Sequence, residues 1–382
     1  MRILFLINSI PPDYGGGYLR VFRTASRFKQ YGWFYKVATY TKSERYNEIL
    51  DISNDDIFFL SHRFIRRFFE LSWKMIKHSS DYDVLYIASA TRYTVLPALI
   101  AKMQHKTVVS SVTLSMVDSP ALPPSNAFKV PYYWYKNIQF KIADYVFVNS
   151  PLLVEECVNC GLRREKVKLI NNPVDIKKFH PVSENERCQL RKEHNLPKDN
   201  LTILFVGSIN KRKGCDIFPV LFEQLFTQLL CKITFIMCGQ KGYPETDDII
   251  TKLESLFNNY QNKFVVKEEV KDPSRYYQMA DIFLFPTTNE GMPNVVLEAM
   301  SSGCMILSNT LPGITDYVLD DMFLVRDNNV NEYVKCIINY FNDKKKYEVY
   351  IMKNRKVVES SFSIDAVDCT IKKMLNSTLK TR

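Results

Sequence analysis

Two carboxylates bracket the segment Glu290-Gly-Met-Pro-Asn-Val-Val-Leu-Glu298. A β-like run, Asp281-Ile-Phe-Leu-Phe-Pro286, leads into it, and a helical pattern from Val295 to Met300 follows. The first acid is therefore expected in a loop and the second on a helix. Backbone amides of Met292, Asn294 and Val295 can face a ligand there, whereas Pro293 has no N–H to give. A helix N-terminus adds partial positive charge that favours phosphate. One carboxylate can then reach hydroxyls on one side of a bound diphosphate and the other hydroxyls on the far side. A sugar nucleotide has that shape. Its diphosphate also needs cations, and the basic turn Lys211-Arg-Lys213 supplies candidates, Lys213 first. Gly15, Gly16 and Gly17 would let a second stretch of backbone approach the same phosphates. Their spacing is not Gly-x-Gly-x-x-Gly, which disfavours a dinucleotide site.

The elements that must position these groups alternate between strand and helix, the pattern of parallel sheets covered on both faces. Strands are expected at Arg2–Ile7, Lys36–Tyr40, Val84–Ala88, Thr107–Val112 and Tyr145–Asn149. A second series runs Thr202–Val206, Ile233–Met237, Phe264–Val266, Ile282–Pro286 and Cys304–Ser308. A chain of 382 residues exceeds what one core usually supports. Two domains are therefore expected, 1–180 and 181–360, with a helical tail over 361–382.

Four segments in the same order resemble the retaining glycosyltransferases of family 4. The Glu290–Glu298 nonapeptide matches their E-x7-E motif. Asn172-Pro-Val-Asp175 with Phe179 and Pro181 is similar to the domain-junction motif. Phe205-Val-Gly207 through Lys213-Gly214 resembles the strand and turn that carry a basic pair, and Pro11-Pro-Asp-Tyr-Gly-Gly-Gly17 the glycine loop after the first strand. The resemblance implies the GT-B fold, two facing Rossmann-like domains with the active site in the interdomain cleft. It also implies that the last helix crosses back to the first domain. It assigns Glu298 to the ribose hydroxyls, Glu290 to the transferred sugar and its anomeric charge, and Lys213 to the diphosphate. Two departures stand out. Ser208 occupies the place of the family's usual Arg, so Arg212 becomes the candidate replacement. Val109–Ser115 lacks the usual His, leaving Asp118 as the nearest acceptor-side polar residue.

Charge is uneven. Residues 1–180 carry 25 Lys+Arg against 15 Asp+Glu, and the remainder carries 26 of each, so the whole net charge of +10 sits in the first half. An anionic partner is expected there: a membrane surface or a lipid-linked acceptor. The segment Ser61–Lys77 concentrates the charge. Phe64, Phe68 and Met75, with Ile65, Phe69 and Ile76, are expected on one side of a helix. That helix is either core-packed with a solvated basic face or a membrane-surface helix. No nucleic-acid-reading motif appears.

Asp81-Tyr-Asp83 has D-x-D spacing but precedes a strand, and Cys157-Val-Asn-Cys160 has no second pair. No metal and no cofactor are expected. Nine cysteines without regular spacing, and no apolar run of bilayer length, point to the cytoplasm or the inner face of its membrane. The expected function is retaining transfer of a sugar from a nucleoside diphosphate to a glycan or lipid-linked hydroxyl, in cell-surface polysaccharide or glycolipid synthesis. A sugar-nucleotide epimerase on the same fold and a non-catalytic sugar-nucleotide-binding protein are the alternatives.

Overall fold

A computed structural model describes residues 1–7, 32–39, 54–88, 94–113, 120, 130–229, 231–268, 270, 272–317 and 323–380. The chain divides into two compact units. One is Met1–Pro173 with Val367–Arg382, and the other is Val174–Ala366. Residues 174–180 and 361–366, expected in the first domain and in the tail, thus belong to the second unit. Backbone pairing between the two stretches, far apart in the chain, holds both there. Val174 bridges Ser363, and Phe179 sits in the second unit's core.

The first unit is built on seven parallel strands: β1 (Arg2–Leu6), β2 (Phe34–Thr39), β3 (Ile57–Phe59), β4 (Val84–Ile87), β5 (Thr107–Val112), β6 (Tyr145–Val148) and β7 (Val167–Leu169). Their spatial order is β3-β2-β1-β4-β5-β6-β7. Successive side chains of β1 point to opposite faces. Leu4 and Leu6 join Leu71 and Met75 of the Phe64–Lys77 helix in one core. Ile3, Phe5 and Ile7 join Val367, Ile371 and Leu375 of the final Ile364–Lys380 helix in another. The two helices therefore cover opposite faces of one sheet.

The second unit holds six parallel strands: β8 (Leu201–Val206), β9 (Ile233–Cys238), β10 (Lys263–Lys267), β11 (Ile282–Phe285), β12 (Met305–Asn309) and β13 (Leu324–Val325). The order is β10-β9-β8-β11-β12-β13. β9, β11 and β12 are buried along their whole length, and β8 along all but its last residue. This matches their near-continuous apolar sequences, since a parallel sheet is covered on both faces. The sheet grows one way from β8 through β9 to β10 and the other way from β11 through β12 to β13. The direction reverses between β8 and β11. In open parallel sheets ligands bind beyond the carboxyl ends of the strands at such a reversal.

Three strands escape sequence reading. β3 and β7 are three residues long and β13 is two. So few residues carry no periodic signal. The Phe64–Lys77 helix also differs from expectation. Its apolar residues do not share one side: Leu71 and Met75 are buried, while Ile65 and Ile76 are 71% and 59% exposed.

Candidate functional site

The two loops that follow β8 and β11 lie side by side at the reversal point and are bonded to each other. After β8 the chain makes a short 3-10 turn, Lys211–Lys213. The Asn210 side chain caps it, accepting the Lys213 N–H at 3.0 Å. Gly214 ends it at φ +73°, where a Cβ would meet the Pro286 carbonyl oxygen at 2.0 Å. Only glycine allows that approach. The Arg212 carbonyl accepts the Thr288 N–H at 2.9 Å and the Thr288 hydroxyl at 3.0 Å. From behind, Asn328 donates to the Pro286 carbonyl at 2.7 Å and Asn309 to the Thr287 carbonyl at 3.0 Å. The Pro286–Glu290 backbone is held on three sides.

This frame brings together residues 77 positions apart. The Lys213 ammonium lies 2.5 Å from Glu290 Oε1, and the Arg212 guanidinium lies 3.1 Å from the same oxygen. Thr287, fully buried, lies within hydrogen-bond distance of that oxygen at 3.1 Å. Arg212 also donates to the Asn289 carbonyl at 2.9 Å. Lys213 stands 4.9 Å above the Phe285 ring, which closes off its apolar side. Both partners of the short ion pair are nearly enclosed, with side chains 13% and 12% exposed, whereas Arg212 is about half exposed. Two cations thus converge on one carboxylate at the carboxyl end of the central strands.

Glu290 is in the loop and Glu298 on the Asn294–Ser301 helix, as their sequence contexts imply. Met292 precedes the helix, Asn294 and Val295 open it, and Pro293 stands at the N-cap without a side-chain cap. Glu298 is buried and accepts a hydrogen bond at 3.3 Å from Tyr277, itself enclosed in the core. Burial, and then the neighbouring Glu298 charge, push the Tyr277 phenol well above its ordinary range, so it remains a proton donor. Ser208 lies just past β8 and forms no hydrogen bond with Lys213 or Arg212. It lines an opening of about 250 Å³ with Gly207, Gly239, Gln240, Val270 and Pro273. Gly239 is required there, because a Cβ on it would meet the Gly207 carbonyl oxygen at 1.7 Å. Gly15, Gly16, Gly17 and Asp118 lie outside the described residues.

Sequence reasoning missed Thr287, Asn210, Phe285 and Tyr277. Asn before Lys-Arg-Lys-Gly is a readable cap-and-stop signal. The other three carry none, since their roles come from partners elsewhere in the sheet. The D-x-D pair is spent on structure. Asp83 meets Arg2 at 2.6 Å, and Asp81 meets Lys36 at 3.0 Å, which holds the Asp81 carboxyl below the usual range. Cys157 is buried in the core, and burial pushes the Cys160 thiol up, away from thiolate chemistry.

Comparisons with known proteins agree with this architecture. The family described as "Glycosyltransferase Family 4" matches residues 14–178, and "Glycosyl transferases group 1" matches residues 186–357. Over 171 residues the chain is 32% identical to the alpha-galactosylglucosyldiacylglycerol synthase of Streptococcus pneumoniae, covering 44% of each protein. It is 27% identical over 262 residues to the capsular polysaccharide biosynthesis glycosyltransferase CapM of Staphylococcus aureus, covering 66% of each. The structure of Anabaena HepE in complex with UDP superposes with a TM-score of 0.81 at 19% identity, over 99% of this chain and 100% of that one. The same protein with UDP-glucose gives 0.79. That likeness establishes a fold of the GT-B class. With two family matches spanning both units, the chain belongs to the group 1, family 4 glycosyltransferases.

Proposed function

We propose that the protein transfers a sugar, with retention, from a nucleoside-diphosphate donor to a hydroxyl of a glycan or lipid-linked acceptor. The carrying observation is the convergence of Lys213 and Arg212 on Glu290 at the reversal between β8 and β11. The bond from the anomeric carbon to the phosphate oxygen breaks, and its electron pair leaves with the diphosphate. Charge grows on that leaving group, where fixed cations act most strongly. Lys213 and Arg212 supply two, so no metal ion is assigned a role. Glu290 faces the sugar once its cations turn to the phosphates, and stabilises positive charge at the anomeric carbon. Glu298, oriented by Tyr277, accepts from the ribose hydroxyls. The acceptor oxygen bonds to the anomeric carbon, and its proton passes to the departing phosphate.

The opening beside Ser208 and Val270 suits the nucleobase end of the donor. The names of the pneumococcal and staphylococcal relatives support a surface polysaccharide or glycolipid product, and the UDP complexes make uridine donors the first to try. Work at the inner face of the cytoplasmic membrane fits such a product. A thermal-shift panel of nucleoside diphosphates and their sugars tests the reading, because a ligand of the native state raises the melting temperature by mass action. The expected result is a shift with one nucleotide family, lost in Glu298→Ala and reduced in Lys213→Ala, with transfer unaffected by chelators. A shift indifferent to both substitutions would place the donor elsewhere.

A further inference from the structure

The Phe64–Lys77 helix has one face too many. Leu71 and Met75 bury it against the sheet of the first unit, and Arg67 fastens its start through the Ser61 and His62 carbonyls at 2.9 and 2.7 Å. Those contacts account for its place in the fold. They leave Ile65, Phe69, Trp73 and Ile76 in a row on the outer side, 71%, 64%, 59% and 59% exposed. Their spacing of four, four and three residues keeps them on one stripe. Among the described residues, neither core of the first unit takes up any of the four.

The stripe belongs to a layer. The Val95–Met103 helix packs beside this one, and the Val130–Ile142 helix packs beside that. All three lie over the core that holds Leu4 and Leu6, on the sheet face opposite the final helix. Their outer surfaces add Met103 and Trp134, 80% and 66% exposed. Cations border the stripe. Arg63, Arg66 and Lys77 are exposed, and none has an ion-pair partner among the described residues. Lys77 instead lies 5.0 Å from the Trp73 ring. Tryptophan with a cation over its ring, beside a row of bare apolar groups, is the composition of a helix lying in a lipid headgroup region.

We propose that this outer layer of the first unit is a docking face for an anionic lipid surface. Ile65, Phe69, Trp73 and Ile76 enter the acyl boundary while Arg63, Arg66 and Lys77 meet the headgroup phosphates. Charge complementarity selects this occupant. Exposed Arg63, Arg66 and Lys77 border the stripe, and the first 180 residues carry the chain's entire net charge of +10, the sign that an anionic lipid surface complements. The helix lies on the surface and does not span it, since no described helix is long and apolar enough to cross a membrane. The face deepens the inner-membrane localisation proposed above, but its geometry is independent of the Lys213–Glu290 site.

The test uses the full chain and two sets of vesicles, pure phosphatidylcholine and a mixture with phosphatidylglycerol. Sedimentation is expected with the anionic vesicles only and is expected to fall as salt rises. Phe69→Ser/Trp73→Ser should abolish it. Arg66→Glu/Lys77→Glu should weaken it by more than about twentyfold, from roughly fivefold per cation removed. Trp73 also reports directly: a blue shift of tryptophan emission on adding anionic vesicles should shrink in Trp73→Phe. Each variant is checked for native circular dichroism and for the nucleotide-dependent thermal shift, so failure of the docking face and failure of the donor site are read separately. Equal binding to neutral vesicles, or variants that sediment like the parent, would overturn the proposal. A native dimer that the Phe69→Ser/Trp73→Ser change converts to monomer, without vesicle binding, would assign the face to a second copy of the chain and overturn it equally.

Discussion

Replacing Lys213 by Met keeps the length of the side chain and removes its charge, which separates the two duties of the Lys213–Glu290 pair. At 2.5 Å the gross attraction is about 7 kcal/mol for an effective dielectric near 20, but desolvation of two nearly enclosed ions offsets most of it. Arg212 at 3.1 Å and Thr287 at 3.1 Å continue to satisfy Glu290 in the variant. The expected loss of stability is therefore about 1–2 kcal/mol, below the 3–5 typical of a buried charge left alone. For a unit of this size that is roughly 2–8 °C in melting temperature. Turnover should fall further, by about 10²–10³, the cost of losing one fixed charge donor at a developing anion. Glu290→Gln provides the contrast. With its carboxylate neutral, Lys213 is no longer held in the resting ion pair, so affinity for a nucleoside diphosphate should rise while sugar transfer falls. Isothermal titration with the diphosphate, beside steady-state rates, reads both. If Lys213→Met binds the diphosphate as tightly as the parent, Lys213 does not serve the phosphates and the assignment fails.

Two further outcomes follow from the frame of the site and the base of its sheet. Gly214→Ala forces a Cβ toward the Pro286 carbonyl at 2.0 Å in a left-handed conformation, so urea denaturation should show a loss of about 2–4 kcal/mol, with transfer reduced even where the protein is folded. Asp281 is buried beside Arg191 at 2.9 Å, Arg187 at 3.3 Å and Lys344 at 3.3 Å. Burial acts to raise its carboxyl, but Arg191, Lys344 and Arg187 outweigh it and hold the group below the usual range. A depressed folded value contributes stability that is present above the unfolded carboxylate range near pH 4 and is lost as pH falls through the folded value. Asp281→Asn should cost about 3–5 kcal/mol at neutral pH and flatten the acid limb of the stability curve. An unchanged acid limb would remove Asp281 from the account of acid unfolding.

The amino-acid sequence determined by itself what depends on near neighbours. Ten of the strands are visible as apolar runs, and most of these are largely buried, since a strand covered on both faces must be apolar throughout. The placement of Glu290 in a loop and Glu298 on a helix is equally local, set by Gly291, Pro293 and the periodicity that follows. Short strands such as β13 are not legible, since two residues have no period. Everything that joins distant segments had to wait for the tertiary structure. The order β10-β9-β8-β11-β12-β13 puts the loops after β8 and β11 together, and only that order lets Lys213 find Glu290 across 77 positions. The same holds for the Phe64–Lys77 helix. Its pattern shows apolar residues at helical spacing, but which of them meet a core depends on where the sheet lies, and packing gave the sheet to Leu71 and Met75 and the surface to Phe69 and Trp73. Local pattern sets which element forms; the partner that a side chain meets is decided by the strand order and helix layers around it.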